Sequence, residues 1–359
     1  MKCLPQNKLA QAQGNVLHDW HAEILAIRAF NRFLVDECAD LARKGFEEKD
    51  TGGWVRWRHR DDGHARLESA HEGDVGSAPF ELRDDVSIHM YCSEAPCGDA
   101  SMELTMAEQE DDTPWSKSSG SHATDSSMLG RGHFDRLGIV RRKPARPDAP
   151  LTLSKSCSDK LAMKQCTSLL SGLTSRLVWP ENVYLYTLVL PESQYVGTAV
   201  ERAFGPQGRM KAVASLNTRQ RESWKAGGYA FKPFDVRTTT REFEYSRRSG
   251  TTTAAVPSNL SAMVTPQRQE ILINGVLQGR KQFDPRGASC ASRRAMWKDV
   301  IDVAATAGQE IAEVSGKGTC CEMKHTSQIR EHVKKDVREM SLQRWERNVG
   351  DEEWKIEDS

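Results

Sequence analysis

Residues Val183-Tyr184-Leu185-Tyr186-Thr187-Leu188-Val189-Leu190 run for eight positions without a charge or a turn residue. A strand with apolar side chains on both faces belongs in the middle of a covered sheet, because a solvated face would carry polar residues at alternate positions. Other segments supply material for the covering layers. From His21 to Cys38, Ile24, Ile27, Phe30, Phe33 and Leu34 recur at helical spacing, with Arg28, Asn31, Arg32 and Asp36 at the other positions. Val86, Ile88 and Met90 alternate with Ser87, His89 and Tyr91, the pattern of a half-buried strand. Ile271-Leu272-Ile273, Asn274-Gly275 and Val276-Leu277 spell a hairpin, and Asn-Gly suits a type I′ turn. The C-terminal third reads as helices over 293–307 and roughly 323–347, with Ile329, Val333, Val337 and Met340 on one face of the second. Strands and helices alternate, which predicts an α/β sandwich.

Polar stretches interrupt this pattern, and a mean hydropathy of −0.62 reflects them. Residues 56–77 are rich in charge, His and Gly. A helix predicted to start near Gly98-Asp99-Ala100-Ser101 runs into the acidic 108–112 and a Ser-rich tract ending near 132. A Thr-rich stretch covers 237–257. All three read as insertions in one domain spanning 1–359, too poor in apolar residues to order themselves.

Charge excludes little, since 50 lysines and arginines balance 50 aspartates and glutamates. Binding to nucleic acid would need local patches. Glu201 to Arg248 carries about six more cations than anions, and Arg141-Arg142-Lys143 with Arg146 forms a second cluster. Either could equally be a solvated face. The nine cysteines are odd in number and scattered, with no secretory signal before them, and no stretch approaches the ~18 apolar residues of a membrane span. These features predict a reduced, intracellular setting (nucleus or cytoplasm, not secreted), with no membrane partner.

Three short pieces carry chemistry. His21-Ala22-Glu23 opens a helix, Pro96-Cys97-Gly98-Asp99 follows a strand, and Ser156-Cys157-Ser158-Asp159-Lys160 is the third. A hydrolytic zinc needs three protein ligands and one open position. One imidazole and two thiolates meet that need, helix N-termini favour the thiolate form, and a carboxylate two residues from the histidine can move protons. His-x-Glu followed by Pro-Cys-x-x-Cys is the signature of zinc deaminases. Here the position three after Cys97 is Ala100, so the third ligand must come from elsewhere, and Cys157 is the candidate. The other cysteines, Cys3 among them, read as structural.

Leu17-His18-Asp19-Trp20-His21-Ala22-Glu23-Ile24, Ser93 to Ser101, Leu153 to Lys160 and Gln269 to Val276 together resemble the adenosine deaminases acting on RNA, as does Trp345 near Asp351-Glu352-Glu353. The resemblance implies a three-layer α/β/α fold of the cytidine-deaminase type, with a mixed central sheet and a helical C-terminal region. It implies Zn2+ on His21, Cys97 and Cys157, with Glu23 as proton shuttle, and conversion of adenosine to inosine in tRNA. Alanine tRNA, next to the anticodon, is favoured; DNA is not implied. It also implies a buried inositol hexakisphosphate, with Lys2, Arg28, Lys160, Lys324 and Trp345 on family contact positions. Three positions depart from the family: Met163 stands for an arginine, His18 for an asparagine and Cys320 for a tyrosine. The basic stretch 141–146 replaces the glutamate-bearing loop of the double-stranded RNA editors and, as in the tRNA enzymes, is expected to meet RNA phosphates through Arg141, Arg142, Lys143 and Arg146. Family members carry a helix and a strand ahead of the segment matching Met1-Lys2-Cys3, so the domain is expected to lack both. Two other readings stay open, a double-stranded RNA editor and an inactive RNA-binding subunit of the same fold.

Overall fold

The computed structural model describes residues 2–45, 52–58, 78–108, 136–143, 150–246, 248, 258–308, 318–319, 322 and 327–355. The architecture is mixed α/β. The central strand of its parallel sheet is β5 (Leu185–Pro191), flanked by β3 (Ile88–Tyr91) and β6 (Asp235–Thr239). The uninterrupted apolar run thus occupies the position its composition predicts, with Leu188 and Leu190 essentially inaccessible, although Tyr186 is 57% exposed. Residues 237–239, read from sequence as the start of a polar insertion, are the end of β6. Most of the remaining predicted insertions, at 59–77, 109–132 and 249–257, lie outside the described residues.

A second sheet pairs β1 (Val55–Trp57) antiparallel to β2 (Phe80–Leu82), and β2 parallel to β4 (Val178–Trp179). The third is an antiparallel meander of β7 (Leu260–Val264), β8 (Gln269–Ile273) and β9 (Val276–Leu277). Asn274 and Gly275 both take positive φ, 54° and 80°, as a type I′ turn requires. A Cβ on Gly275 would come within 2.7 Å of the Leu17 carbonyl and 2.9 Å of the Trp20 ring, so the turn can press against the segment that leads to His21.

Helix α1 (Ala22–Lys44) runs well beyond the predicted Cys38. Ile24, Ile27, Leu34, Val35 and Cys38 are buried, but so are Asn31, Arg32 and Asp36, which sequence placed off the apolar stripe. Most of their polar groups are satisfied internally: Asn31 donates to the carbonyls of Ile27 and Leu169, and Arg32 pairs with Asp36 and Asp299, although its Nε has no partner. Among the α1 residues only Ala22, Ala26, Asp40, Arg43 and Lys44 are exposed, so the apolar 3.6-residue periodicity understates its burial. Short helices α2 (Met102–Ala107), α4 (Gly197–Phe204), α5 (Lys211–Ala214) and α6 (Thr218–Lys225), with α3 (Cys157–Thr167), α7 (Arg293–Thr306) and α8 (Gln328–Met340), complete the described elements. Val333 and Val337 of α8 are fully buried, and α8 packs on α3. A smaller core of Leu4, Leu9, Val16, Leu17 and Trp20 with Leu272 and Val276 holds the N-terminal segment against the meander. Burying each such side chain contributes about 1.5–3 kcal/mol.

Candidate active site

Three chain segments converge at the N-termini of α1 and α3. His21 is the N-cap of α1, with extended ψ of 146° and no side-chain cap bond, so its imidazole is available for other partners. Its backbone amide donates to Asp19 Oδ1 at 3.0 Å. At α3, Ser156 caps the helix by accepting from the Asp159 amide, which sets Cys157 in the first turn, where unpaired backbone N–H groups favour a thiolate. The Cys97 loop is laced to that turn. Ser158 donates from its amide to the Cys97 carbonyl at 3.0 Å and from its hydroxyl to the Pro96 carbonyl at 2.9 Å, and it accepts from the Ala100 amide at 3.1 Å. Gly98 permits the approach: its φ is 103°, and a Cβ there would lie 2.3 Å from Ser156 Oγ.

The result is a compact ligand set. His21 Nδ1 is 3.8 Å from Cys97 Sγ and 3.7 Å from Cys157 Sγ. A tetrahedral zinc with Zn–S near 2.3 Å and Zn–N near 2.0–2.1 Å separates such donors by about 3.6 Å. The spacing and the donor chemistry therefore fit a zinc ion. Cys3, read from sequence as structural, is buried beside this cluster and forms a second potential ligand group with Asp19 and His21. Its sequence context gave no sign of this, because only the bridge between Cys3 and Asp19 brings it there.

Electrostatics follow from the burial of this cluster. A hydrogen bond from Cys157, then the charges of Lys143 and His21, hold the Cys97 thiol well below its ordinary range, whereas burial pushes Cys157 up. Glu23, in the first turn of α1, is raised by burial and by the Cys97 charge, as suits a carboxyl that both takes and gives protons.

Lys143 is buried among these groups, 2.8 Å from Asp19 Oδ2 and 3.4 Å from Cys157 Sγ. Arg141 is fully buried, with its amide donating to Asp159, and Arg142 pairs with Glu346 at 2.7 Å. The expectation that this row faces RNA phosphates is corrected for Arg141 and Lys143, which point inward to satisfy buried acceptors. Arg146 lies outside the described residues.

Beside the ligand cluster is a cavity of about 430 Å3, lined by Arg28, Lys160, Lys164, Arg293, Arg330 and Lys334, with Trp345 and, among the described residues, two carboxylates, Asp19 and Asp351. Among the described residues, the buried Nε atoms of Arg28 and Arg330 have no hydrogen-bond acceptor. Burial and the Arg293 charge lower Arg28 to about 10, burial and Arg330 lower Lys334 to about 8, and burial with three neighbouring cations takes Lys164 well down. Lys160, Arg293 and Lys334 pair with Asp19, Asp351 and Glu331, and the cations that remain in so confined a space fit a polyanion. His18 and Met163 both line the cavity where the family has other residues, and Lys164 contributes a cation next to Met163. His18 is held neutral, near 4, by burial and Arg293, and it bonds Asp351 at 2.7 Å. Of the five residues assigned to the polyanion, Arg28, Lys160 and Trp345 line the cavity. Lys2 does not; Glu23 is its nearest charged influence. Lys324 lies outside the described residues. Sequence reading marks Lys164 only as the cation adjacent to Met163 and misses Arg293, Arg330 and Lys334, whose spacing is that of ordinary helix surface.

An α/β scaffold that gathers one histidine and two cysteines at helix N-termini, with a buried carboxylate alongside, defines a hydrolytic metal site of the deaminase type. The profile of the adenosine-deaminase (editase) domain matches residues 1–349, and the chain belongs to that family. It is 39% identical over 288 residues to the tRNA-specific adenosine deaminase 1 of Schizosaccharomyces pombe, covering 79% of this chain and 66% of that one. It is 34% identical over 197 residues to the protein of the same name from Saccharomyces cerevisiae, covering 53% and 44%. The double-stranded RNA-specific editase B2 of Rattus norvegicus is 25% identical over 228 residues, covering 62% and 27%. The chain thus spans just under two thirds of the first relative and less than half of the second.

Proposed function

We propose that this chain is a zinc-dependent RNA deaminase that converts adenosine to inosine in tRNA, next to the anticodon of alanine tRNA. The observation that carries the reading is the convergence of His21, Cys97 and Cys157 with Glu23 beside them. Zinc held by those three residues supplies Lewis-acid activation of the hydrolytic water. Glu23 takes a proton from that water and delivers it towards the base and the departing amine, so water adds at C6 and ammonia leaves. Lys143 balances the thiolate charge, and Asp19 holds Lys143 in place. A base in an anticodon loop is unpaired, so it leaves its stack for the site at less cost than a base in a duplex.

The 39% identity to a tRNA deaminase, against 25% to a double-stranded RNA editase, favours tRNA over duplex RNA. The intact Glu23 favours an active enzyme over a silent binding subunit. The strands and helices are consistent with a three-layer α/β/α sandwich in a single domain, which we adopt as the arrangement. We also assign the cationic cavity to inositol hexakisphosphate, held by Arg28, Lys160, Lys164, Arg293, Arg330 and Lys334, with Trp345 in its wall. The test of the activity is inosine formation in alanine tRNA before and after chelation. Loss on chelation and recovery on adding zinc support the reading; inosine made by fully metal-free protein would defeat it.

A further inference from the structure

Large side chains left in water usually mark a binding surface when they cluster. Six aromatic residues are prominently exposed among those described: Trp54, Tyr91, Tyr186, Tyr195, Phe243 and Tyr245. Four of them sit on segments bonded to the chain that runs from Tyr91 to Cys97. Tyr91 Oη donates to the Arg241 carbonyl at 3.5 Å. Arg248 donates to Glu94 at 2.8 Å and to the Ser93 carbonyl. Glu242 accepts from Ser193, and Gln194, next to Tyr195, accepts from the Ala95 amide at 3.0 Å. The loop bearing Phe243 and Tyr245 is therefore fastened at several points to the approach loop of a metal ligand. From Glu94 to Cys97 is three residues, at most about 11 Å of chain.

Phe243 and Tyr245 meet edge to face, with centroids 5.6 Å apart at 67°, and they are 46% and 79% exposed. That geometry leaves a ring face open to a flat partner. Arg241 and Arg237, both exposed, the latter in a solvated 3.7 Å pair with Asp235, place cations on the same stretch, which also carries Glu242 and Glu244. A nucleic-acid strand matches this pairing of open rings and cations, since every base has a stacking face and every linkage a negative charge.

Resting on the RNA-deaminase reading above, we infer that Phe243 and Tyr245 form a stacking platform for the nucleotide adjacent to the reacting adenosine. The physical need is simple. When the target base leaves its stack to enter the site, its neighbour loses a stacking partner, and the platform replaces it. Arg237 and Arg241 then meet the flanking phosphates. The platform positions substrate and takes no part in bond changes.

The test uses an anticodon stem-loop RNA of alanine tRNA with 2-aminopurine on either side of the target adenosine. The intact chain is compared with Phe243→Ala/Tyr245→Ala and Phe243→Leu/Tyr245→Leu. Stacking predicts quenched fluorescence at one flanking position with the native chain. Both variants should lose the quenching and raise KM for inosine formation by about tenfold or more, with kcat little changed. Phe243→Tyr/Tyr245→Phe should restore both. If leucine serves as well as the native rings, the patch makes generic apolar contact, as for a protein partner, and the platform is refuted. Unchanged KM and fluorescence in folded, metal-loaded alanine variants refute it too, while leaving the deaminase reading intact. A native chain that neither binds the RNA nor forms inosine overturns the RNA reading itself, and the platform with it.

Discussion

The ammonium of Lys143 lies 3.4 Å from the Cys157 sulfur, inside the protein and away from the surface its sequence context suggested. On its other side it donates to Asp19, which also accepts from Lys160 at the cavity wall. One carboxylate therefore joins the candidate metal ligands to the cationic cavity, and filling the cavity bears directly on how Lys143 is held. Lys143→Met leaves a thiolate without its nearby cation, and Asp19 with Lys160, the His21 amide and the Ser154 hydroxyl. Metal affinity should fall about 10- to 100-fold, measured by competition with a chelator. Loss of one partner from this buried group should also cost about 3–5 kcal/mol of stability, measured by denaturant titration.

The cavity makes a prediction about pH. Lys334 ordinarily titrates at 10.5 but sits near 8 in the fold, because burial and Arg330 disfavour its charge. Between about 8 and 10.5 the unfolded chain binds the proton that the fold does not, so ligand-free stability should rise with pH across that window. Below about 8 the full penalty is present. A polyanion favours the charged lysine and should reverse the trend. Inositol hexakisphosphate should raise the melting temperature most below pH about 8, with the gain shrinking above it. A gain that is equal at both ends of the range would show that these lysines do not face the ligand.

Gly98 is held at φ 103° with Ser156 in the space a side chain would need. Gly98→Ala should part the Cys97 loop from the head of α3, at a cost of about 1–3 kcal/mol. Zinc content of the purified protein, read against its melting temperature, would check this. A loss of metal larger than that drop in stability alone explains is the outcome expected if the strain falls on the ligand spacing.

What could be read from sequence divides along physical lines. His21, Glu23, Cys97 and Cys157 were legible because each stands at an element boundary with polar capping neighbours, and such patterns are local. Asn274-Gly275 was legible because only certain residues accept two positive φ angles in succession. The cavity was legible only through resemblance at Arg28, Lys160 and Trp345. Arg293, Arg330 and Lys334 were not, since a cation on a helix reads as solvated until its neighbours are known. The same limit misplaced Arg141 and Lys143: a basic run carries no sign of which way it faces, and here Asp19 and Cys157 draw Lys143 inward while the Arg141 guanidinium turns to the Arg136 carbonyl. Cys3 depends on a pairing with Asp19 that no periodicity announces.

The central claim is that Glu23 moves protons at a metal held by His21, Cys97 and Cys157, and one comparison tests it most directly. Inosine formation at the anticodon-adjacent adenosine of alanine tRNA is measured for the native chain and for Glu23→Gln, with zinc quantified in both. Inosine is expected from the native chain and none detectable from the variant, with equal zinc in each. Deamination that survives in zinc-loaded Glu23→Gln would contradict the claim.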